Sequence, residues 1–394
     1  MKDELAYVLI TPYSLIKSRT GGIIGRLLSM GKLEIVGARM YAPSDEFVDR
    51  YCAIIEAQDI EPHLKKAFLK YLNDYFRRDN RFGILNRTML MLFKGPDAVR
   101  TLKEDVVGSV DHMRGDTVRG TYGDYLEGVD KEVEYFEPAV LTTADKETSK
   151  KQLALLAEYA TSDGGVLEHI VKFPKGEKPE TTLVIIKPEN FLKHSARPGN
   201  IIDLFSRAGL FIVGAKLLRM DVARAETFYL PVKEMLREKL KPSLAKRIGE
   251  ALSPALAFTV EDKMLEKFAD NLKELNAQHE FDCIVEYMTA INPSTIKDPE
   301  DKKKPGKAKC LALLYRGINA IEKIRAILGV TDPLKAADAT VRSIYGYNLM
   351  RNAAHASDSS ENAERERKIV GFWGEDSQCE EKDLIEAYLA GRPF

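Results

Sequence analysis

The chain has 394 residues, enough for two or three domains with full cores, and its 59 Lys and Arg stand against 60 Asp and Glu, a formal charge of −1. That balance gives no bulk attraction to nucleic acid or to an anionic bilayer, and no apolar run reaches membrane-spanning length. Met1-Lys-Asp-Glu lacks the order of a secretion signal, and Cys52, Cys283, Cys310 and Cys379 show no C-x-x-C spacing, so the expectation is a cytoplasmic protein with free thiols, without a disulfide frame or zinc site.

In chain order, Tyr7-Val-Leu-Ile-Thr-Pro12 reads as an apolar strand, 23–30 as a helix stopped at Gly31, and Leu33-Glu-Ile-Val-Gly-Ala38 as a second strand. Helices follow, then a third strand at Leu90-Met-Leu-Phe-Lys-Gly95 and a turn-rich segment containing Thr117-Val-Arg119. The pattern then returns. Leu183-Val-Ile-Ile-Lys-Pro188, a helix over 201–208 stopped at Gly209, Leu210-Phe-Ile-Val-Gly-Ala215, Ala312-Leu-Leu-Tyr-Arg-Gly317 and Thr340-Val-Arg342 repeat the same blocks in the same order. Blocks repeated in order mean two copies of one domain. The succession strand, helix, strand, helix, strand suits an α/β fold, an α+β sandwich of ferredoxin-like type with helices on one face of an antiparallel sheet.

The expected boundaries are a first domain at 1–145, a linker at 146–181 and a second domain at 182–394. The linker holds an amphipathic stretch at 150–159 and the punctuated run Phe173-Pro-Lys-Gly-Glu-Lys-Pro179. Within the second domain, about 232–280 reads as a helical insertion broken at Pro242 and Pro254, and 298–307 as a charged surface loop. The insertion is expected to be a lobe without chemistry of its own, the sharper alternative being a lid or subunit contact. The charged segment 375–394 reads as helical, with packing or subunit contact as its task.

Chemistry concentrates at 351–366, Arg-Asn-Ala-Ala-His-Ala-Ser-Asp-Ser-Ser-Glu-Asn-Ala-Glu-Arg-Glu. His355 lies where a helix begins, and Ser357, Asp358 and Ser359 are all good N-caps. Unpaired N–H groups at a helix start suit a phosphate. A neutral imidazole is a nucleophile when a partner holds its second nitrogen, and Glu366 is placed to return a carboxylate. On its residues alone, a lone histidine more often reads as solvated or packed in a core than as a nucleophile.

This stretch resembles the active-site signature of the nucleoside diphosphate kinase family, in a tandem form with a degenerate first copy. The resemblance implies transfer of the γ-phosphate of ATP to a nucleoside diphosphate by a ping-pong route through phospho-His355, with Glu366 orienting the ring and Ser357 bonding near the carboxylate. It implies that Lys187, Arg325, Thr331 and Arg342 bind phosphates, that Asn352 bonds the ribose and that Tyr229 flanks the histidine. Phe281 resembles the base-stacking phenylalanine, against an even alternative of core packing. Mg2+ is implied as the Mg–nucleotide complex, held through the phosphates, since no carboxylate cluster has the spacing of a dedicated site. The likeness also implies the ferredoxin-like fold, an intrachain pseudo-dimer and assembly into a homo-oligomer.

The chain departs from the family pattern at Ala353, Ala354 and Ala356, at Ser343-Ile-Tyr345, and at Glu189-Asn190 after Lys187-Pro188. In the first copy Thr11 replaces the lysine, Arg119 remains, Tyr51 and Lys103 lie near the tyrosine and first-arginine positions, and His112 falls on the wrong side of Arg119. Laying Thr142-Thr-Ala-Asp145 on His355-Ala-Ser-Asp358 puts a threonine at the nucleophile position, so the first copy is expected to be silent. A nucleotide-binding regulatory or scaffolding protein with little turnover is the alternative, and transfer from phospho-His355 to a protein partner is a third.

Overall fold

Strand β1 (Asp3–Ile10) is buried from Leu5 onward, and its alternation feeds two cores at once. Ala6, Val8 and Ile10 enter one, Leu5, Tyr7 and Leu9 the other. A strand covered on both faces is written as a continuous apolar run, as here. The structure, a computed structural model, describes residues 3–30, 32–110, 115–129, 132–256, 258–372 and 379–394. The chain divides into two units, one of Met1–Leu217 with Cys310–Phe394, the other of Leu218–Lys309.

In the larger unit, β1 joins β2 (Glu34–Tyr41), β3 (Thr88–Pro96) and β6 (Val140–Thr142) in a four-stranded sheet of order β2-β3-β1-β6. The pairs β1–β3, β2–β3 and β1–β6 are antiparallel. A separate hairpin, β4 (Asp124–Glu127) with β5 (Val133–Glu137), fills part of the stretch read as turn-rich. The second sheet has β7 (Pro179–Ile186), β8 (Phe211–Leu218), β9 (Cys310–Ile318) and β10 (Ala354–Ala356) in the order β10-β7-β9-β8. Both sheets follow the ferredoxin-like order, in which the first strand lies between the third and the fourth. The protein is thus an α/β fold of antiparallel sheets and helices.

Helices cover both faces of the first sheet, which differs from the one-face expectation. Helix Asp45–Glu56, capped by the Ser44 hydroxyl, helix Pro62–Tyr75 and helix Lys146–Glu158 all pack into the core of Leu5, Tyr7 and Leu9. The stretch 146–181 therefore begins with a helix whose Leu153, Leu155 and Leu156 are buried with the first sheet. Helix Glu380–Leu389 returns to the same core through Ile385, which accounts for the C-terminal segment. Gly209 has the positive φ (64°) expected beyond a helix end. Gly31 and residues 375–378 lie outside the described residues.

The other core is shared by helix Thr20–Met30 and helix Arg197–Ser206. They cross at glycines. A Cβ on Gly199 would run into the backbone of Gly21 and Gly25, and one on Gly21 would run into Gly199 and Asp203.

The smaller unit contains helices Val222–Lys239, Lys241–Leu252 and Asp262–Thr289. Pro242 sits in the first turn of the second, where no N–H is missed, and Pro254 follows its end. Lys241–Asp270 (2.9 Å) and Lys273–Glu238 (3.1 Å) ion pairs join neighbouring helices. Within 298–307, Pro299–Lys303 forms a short exposed helical turn.

Gly199→Ala sets two effects against each other. Helix propensity alone favours alanine by up to about 1 kcal/mol, whereas overpacking costs about 1–3 kcal/mol. The closeness of the two backbones makes the second term win, so thermal denaturation should show a lowered Tm. An unchanged or raised Tm would mean the helices do not meet at this glycine.

Candidate active site

The site begins with a strand three residues long. β10 forms an edge of its sheet and pairs with β7, placing His355 opposite Ile185. The Ser357 N–H then donates to Leu183 O (3.1 Å), and the Ser359 hydroxyl caps helix Ser360–Ile369. Two turns along that helix Glu366 comes back to the strand. Its Oε2 lies 2.8 Å from His355 Nε2 and accepts the Ser357 hydroxyl at 2.7 Å. The His355 side chain is 23% exposed, that of Glu366 only 6%.

Burial works to raise the Glu366 pKa, but His355 and the hydrogen bonds from His355 and Ser357 outweigh it and hold the carboxyl below its ordinary value. An ionised carboxylate only accepts, so Nε2 must carry the proton and the Nδ1 lone pair belongs to the other side of the ring. The Arg365 guanidinium lies 3.5 Å from Oε1.

The residues before β10 are tied down by polar side chains. Ala353 has φ 72°, a conformation alanine rarely adopts. Its N–H donates to Glu189 Oε1 (2.8 Å), and its carbonyl accepts the Lys187 N–H (3.0 Å) and Asn190 Nδ2 (2.8 Å). Lys187 Nζ donates to Asn352 Oδ1 (2.7 Å) and Met350 O (2.9 Å). Asn352, 1% exposed, donates from Nδ2 to Thr331 O and Leu349 O, each at 3.0 Å. Both ends of its amide are thus engaged within the protein. Burial pushes the Lys187 ammonium down to about 8, Glu189 opposing and Arg342 adding to the effect.

Arg342 donates to Gly329 O (3.0 Å) and Ala354 O (3.2 Å), one residue from the histidine. Its buried Nε meets no acceptor among the described residues. Burial first, and Arg325 second, lowers its pKa to about 10. Arg325 lies in the last turn of helix Ala320–Leu328 and lines an open cleft of about 780 Å³ with Gly329, Thr340, Asp358 and Ser359. Asp358 is held below the usual carboxylate range by Asn362 and, less, by Arg325.

The residues expected at the site thus divide. His355, Glu366, Ser357, Lys187, Asn352 and Arg342 form one network, which engages Thr331 through its carbonyl. Arg325 stands at the adjoining cleft. Tyr229, whose ring centroid is 4.9 Å from that of Phe228, and Phe281, with Lys233 Nζ 5.4 Å from its ring centroid, belong to the helical unit. Sequence reasoning missed Glu189 and Asn190 as supports, although both are buried polar residues directly after the Lys187-Pro188 pair.

The first half repeats the frame with other side chains. Ile10 pairs with Val140 as Ile186 pairs with Ala354, so Leu141, not Thr142, stands where His355 does. The overlay read from sequence was one residue out, and such a slip turns a side chain to the opposite face of the sheet. The N-caps agree with the corrected register, Asp145 matching Ser359. Arg119 donates to Gly108 O (3.0 Å) and Val140 O (3.3 Å) in the manner of Arg342. Ala139 (φ 58°) corresponds to Ala353, its N–H held by Glu137 (2.9 Å) instead of Glu189. Lys103 O accepts the Gly108 N–H as Arg325 O accepts that of Gly329. His112 lies outside the described residues.

Residues 299–374 match the family described as nucleoside diphosphate kinase. That likeness spans β9, β10 and helix Ser360–Ile369. A nucleoside diphosphate kinase of Dehalococcoides mccartyi (strain ATCC BAA-2266 / KCTC 15142 / 195) is 26% identical over 187 residues, covering 48% of this chain and 88% of that protein. The mitochondrial nucleoside diphosphate kinase of Columba livia is 27% identical over 197 residues, covering 50% and 73%. Among solved structures, the Pyrobaculum aerophilum NDP kinase is 24% identical with a TM-score of 0.34, covering 51% of this chain and 98% of that one. The Aquifex aeolicus nucleoside diphosphate kinase is 23% identical with a TM-score of 0.31, covering 49% and 95%.

Lys187 gives a pH test of this arrangement. An unfolded lysine keeps its proton to near 10.5, whereas the folded one releases it near 8. Between those values the unfolded chain binds more protons, so stability rises with pH. Relative to Lys187→Met, the unmodified protein should gain up to roughly 3 kcal/mol of unfolding free energy between pH 7 and 10.5. A difference flat across that window would show that the ammonium is not buried.

Proposed function

We propose that the chain transfers the γ-phosphoryl group of ATP to nucleoside diphosphates by a ping-pong route through phospho-His355. The observation that carries this reading is the 2.8 Å bond between His355 Nε2 and the buried Glu366 carboxylate. It fixes the tautomer and directs Nδ1 as the nucleophile. Nδ1 attacks the γ-phosphorus, an N–P bond forms, and the bond to the β–γ bridging oxygen breaks with its electron pair leaving on ADP. The proton stays on Nε2, and Glu366 balances the charge of the phosphorylated ring. A second diphosphate then attacks the same phosphorus and restores the imidazole.

Phosphoryl transfer asks for little beyond positioning and positive charge around the equatorial oxygens. Arg342 and Arg325 supply the charge in this proposal, and Lys187 adds to it. Asn352, engaged at both ends of its amide, acts by holding Lys187 and the Thr331 turn. Mg2+ enters with the nucleotide as part of the substrate. Roles for Tyr229 and Phe281 rest on the resemblance alone. The packing of helix Thr20–Met30 against helix Arg197–Ser206 within one unit supports the intrachain pseudo-dimer, and Leu141 supports a silent first half.

Incubation with γ-labelled ATP should leave an acid-labile, base-stable label on the second half, with exchange into several diphosphates. His355→Ala should carry no label and lose transfer by roughly 10³-fold or more. Glu366→Gln, which can present an N–H to the ring and invert the tautomer, should lower turnover by roughly 10²- to 10⁴-fold. A fully labelled His355→Ala protein would refute the assignment.

A further inference from the structure

The first half keeps a cleft where it has lost its nucleophile. A cavity of about 380 Å³ lies between helices Asp45–Glu56 and Pro62–Tyr75, the segment Thr101–Val107 and the end of β6. Ile55, Ile60, Phe68 and Leu141 give it an apolar wall, and Lys103 and Arg119 bring two positive charges to it. Arg119 also lies over the Phe68 ring, 5.7 Å from its centroid. An apolar pocket with a few convergent polar groups, of a size suited to a small molecule, is the usual form of a ligand site.

Three replacements change what such a cleft can do. Leu141 at the register position of His355 removes the nucleophile. Gln152, eleven residues further on as Glu366 is from His355, puts a neutral amide in place of the carboxylate. It is 2% exposed, and its Oε1 accepts no hydrogen bond among the described residues. Thr11, in place of Lys187, is turned into the protein, donating to Glu137 and accepting from the Ser14 N–H.

The electrostatic consequence favours holding an anion. Two unit charges 4 Å apart interact by about 4 kcal/mol at an effective dielectric of 20, so a buried carboxylate facing a phosphate is a large penalty. Here that carboxylate is gone together with the lysine, and Lys103 and Arg119 face the cavity with no buried acid among its lining residues. Glu104, the acid among the lining residues, is exposed at the rim with Arg100 3.5 Å away. The turn that carries Lys103 also differs. It is π-helical, with one residue more between Lys103 and Gly108 than between Arg325 and Gly329. Such widened turns recur at functional sites.

We propose that this cavity binds a nucleoside phosphate and holds it without phosphoryl transfer, a second site in the first half of the chain. The flat base lies on the apolar wall and the phosphates face Lys103 and Arg119. Leu141 offers no atom to which a phosphoryl group could pass.

The test is calorimetric titration of the full-length, unphosphorylated protein with ADP. The expected result is two ADP per chain. Lys103→Glu, on an exposed side chain, and Leu64→Trp, which fills the cavity from a partly exposed position, should each weaken one site by roughly tenfold or more and spare the other. Arg325→Glu should weaken the other site alone. Stoichiometry of one ADP per chain, or two sites that ignore both Lys103→Glu and Leu64→Trp, overturns the proposal. Labelling of His355 reads the second half independently, so either result leaves the phosphotransfer assignment to its own test.

Discussion

A carboxylate buried against an imidazole is the constraint on which the candidate site rests. One oxygen of Glu366 meets two partners, the ring of His355 and the hydroxyl of Ser357. Burial would favour the neutral acid, and those donors, with Arg365 beside the other oxygen, keep it ionised. The same bond that stabilises the charge fixes which ring nitrogen carries the proton. Stability and reactivity are therefore set by one contact. The first half shows the two members changing together, since Leu141 has replaced the ring and Gln152 the carboxylate. An unpaired carboxylate there would have been costly to bury.

Around that pair the protein accepts local strain and holds it with polar braces. Ala353 and Ala139 both take left-handed backbone, at roughly 1–2 kcal/mol each for a residue with a Cβ. In each half a glutamate receives the strained N–H, but from a different place in the chain, Glu189 in one and Glu137 in the other. The backbone shape is shared while its support is not. Burial lowers the Lys187 ammonium to about 8, and Asn352 accepts from that ammonium at Oδ1 while its Nδ2 holds Thr331 O and Leu349 O.

Long buried strands were the most legible part of the sequence, because burial on both faces writes them as unbroken apolar runs. The β4–β5 hairpin was not, since Asp124-Tyr-Leu-Glu is largely exposed and lacks that signature. The pair His355 and Glu366 was readable from spacing and from the family motif together. The first-half register was not, because Val140-Leu-Thr142 offers no side chain that marks its face. Asp145 held the missing signal, for matching it to Ser359 as an N-cap gives the correct alignment. Glu189 and Asn190 were visible only as departures, and nothing local says that a Glu-Asn pair will be buried. Helix Lys146–Glu158, read as part of a linker, carries the apolar residues of a core helix in a charged setting.

The central claim is that Glu366 holds Nε2 and leaves Nδ1 to take the phosphoryl group. Nitrogen-15 and phosphorus-31 NMR of histidine-labelled protein after incubation with ATP reads this directly. The account predicts a single phosphohistidine at position 355, coupled through Nδ1, with Nε2 still protonated. Phosphorus bonded to Nε2, or no phosphohistidine at all under turnover conditions, would contradict it.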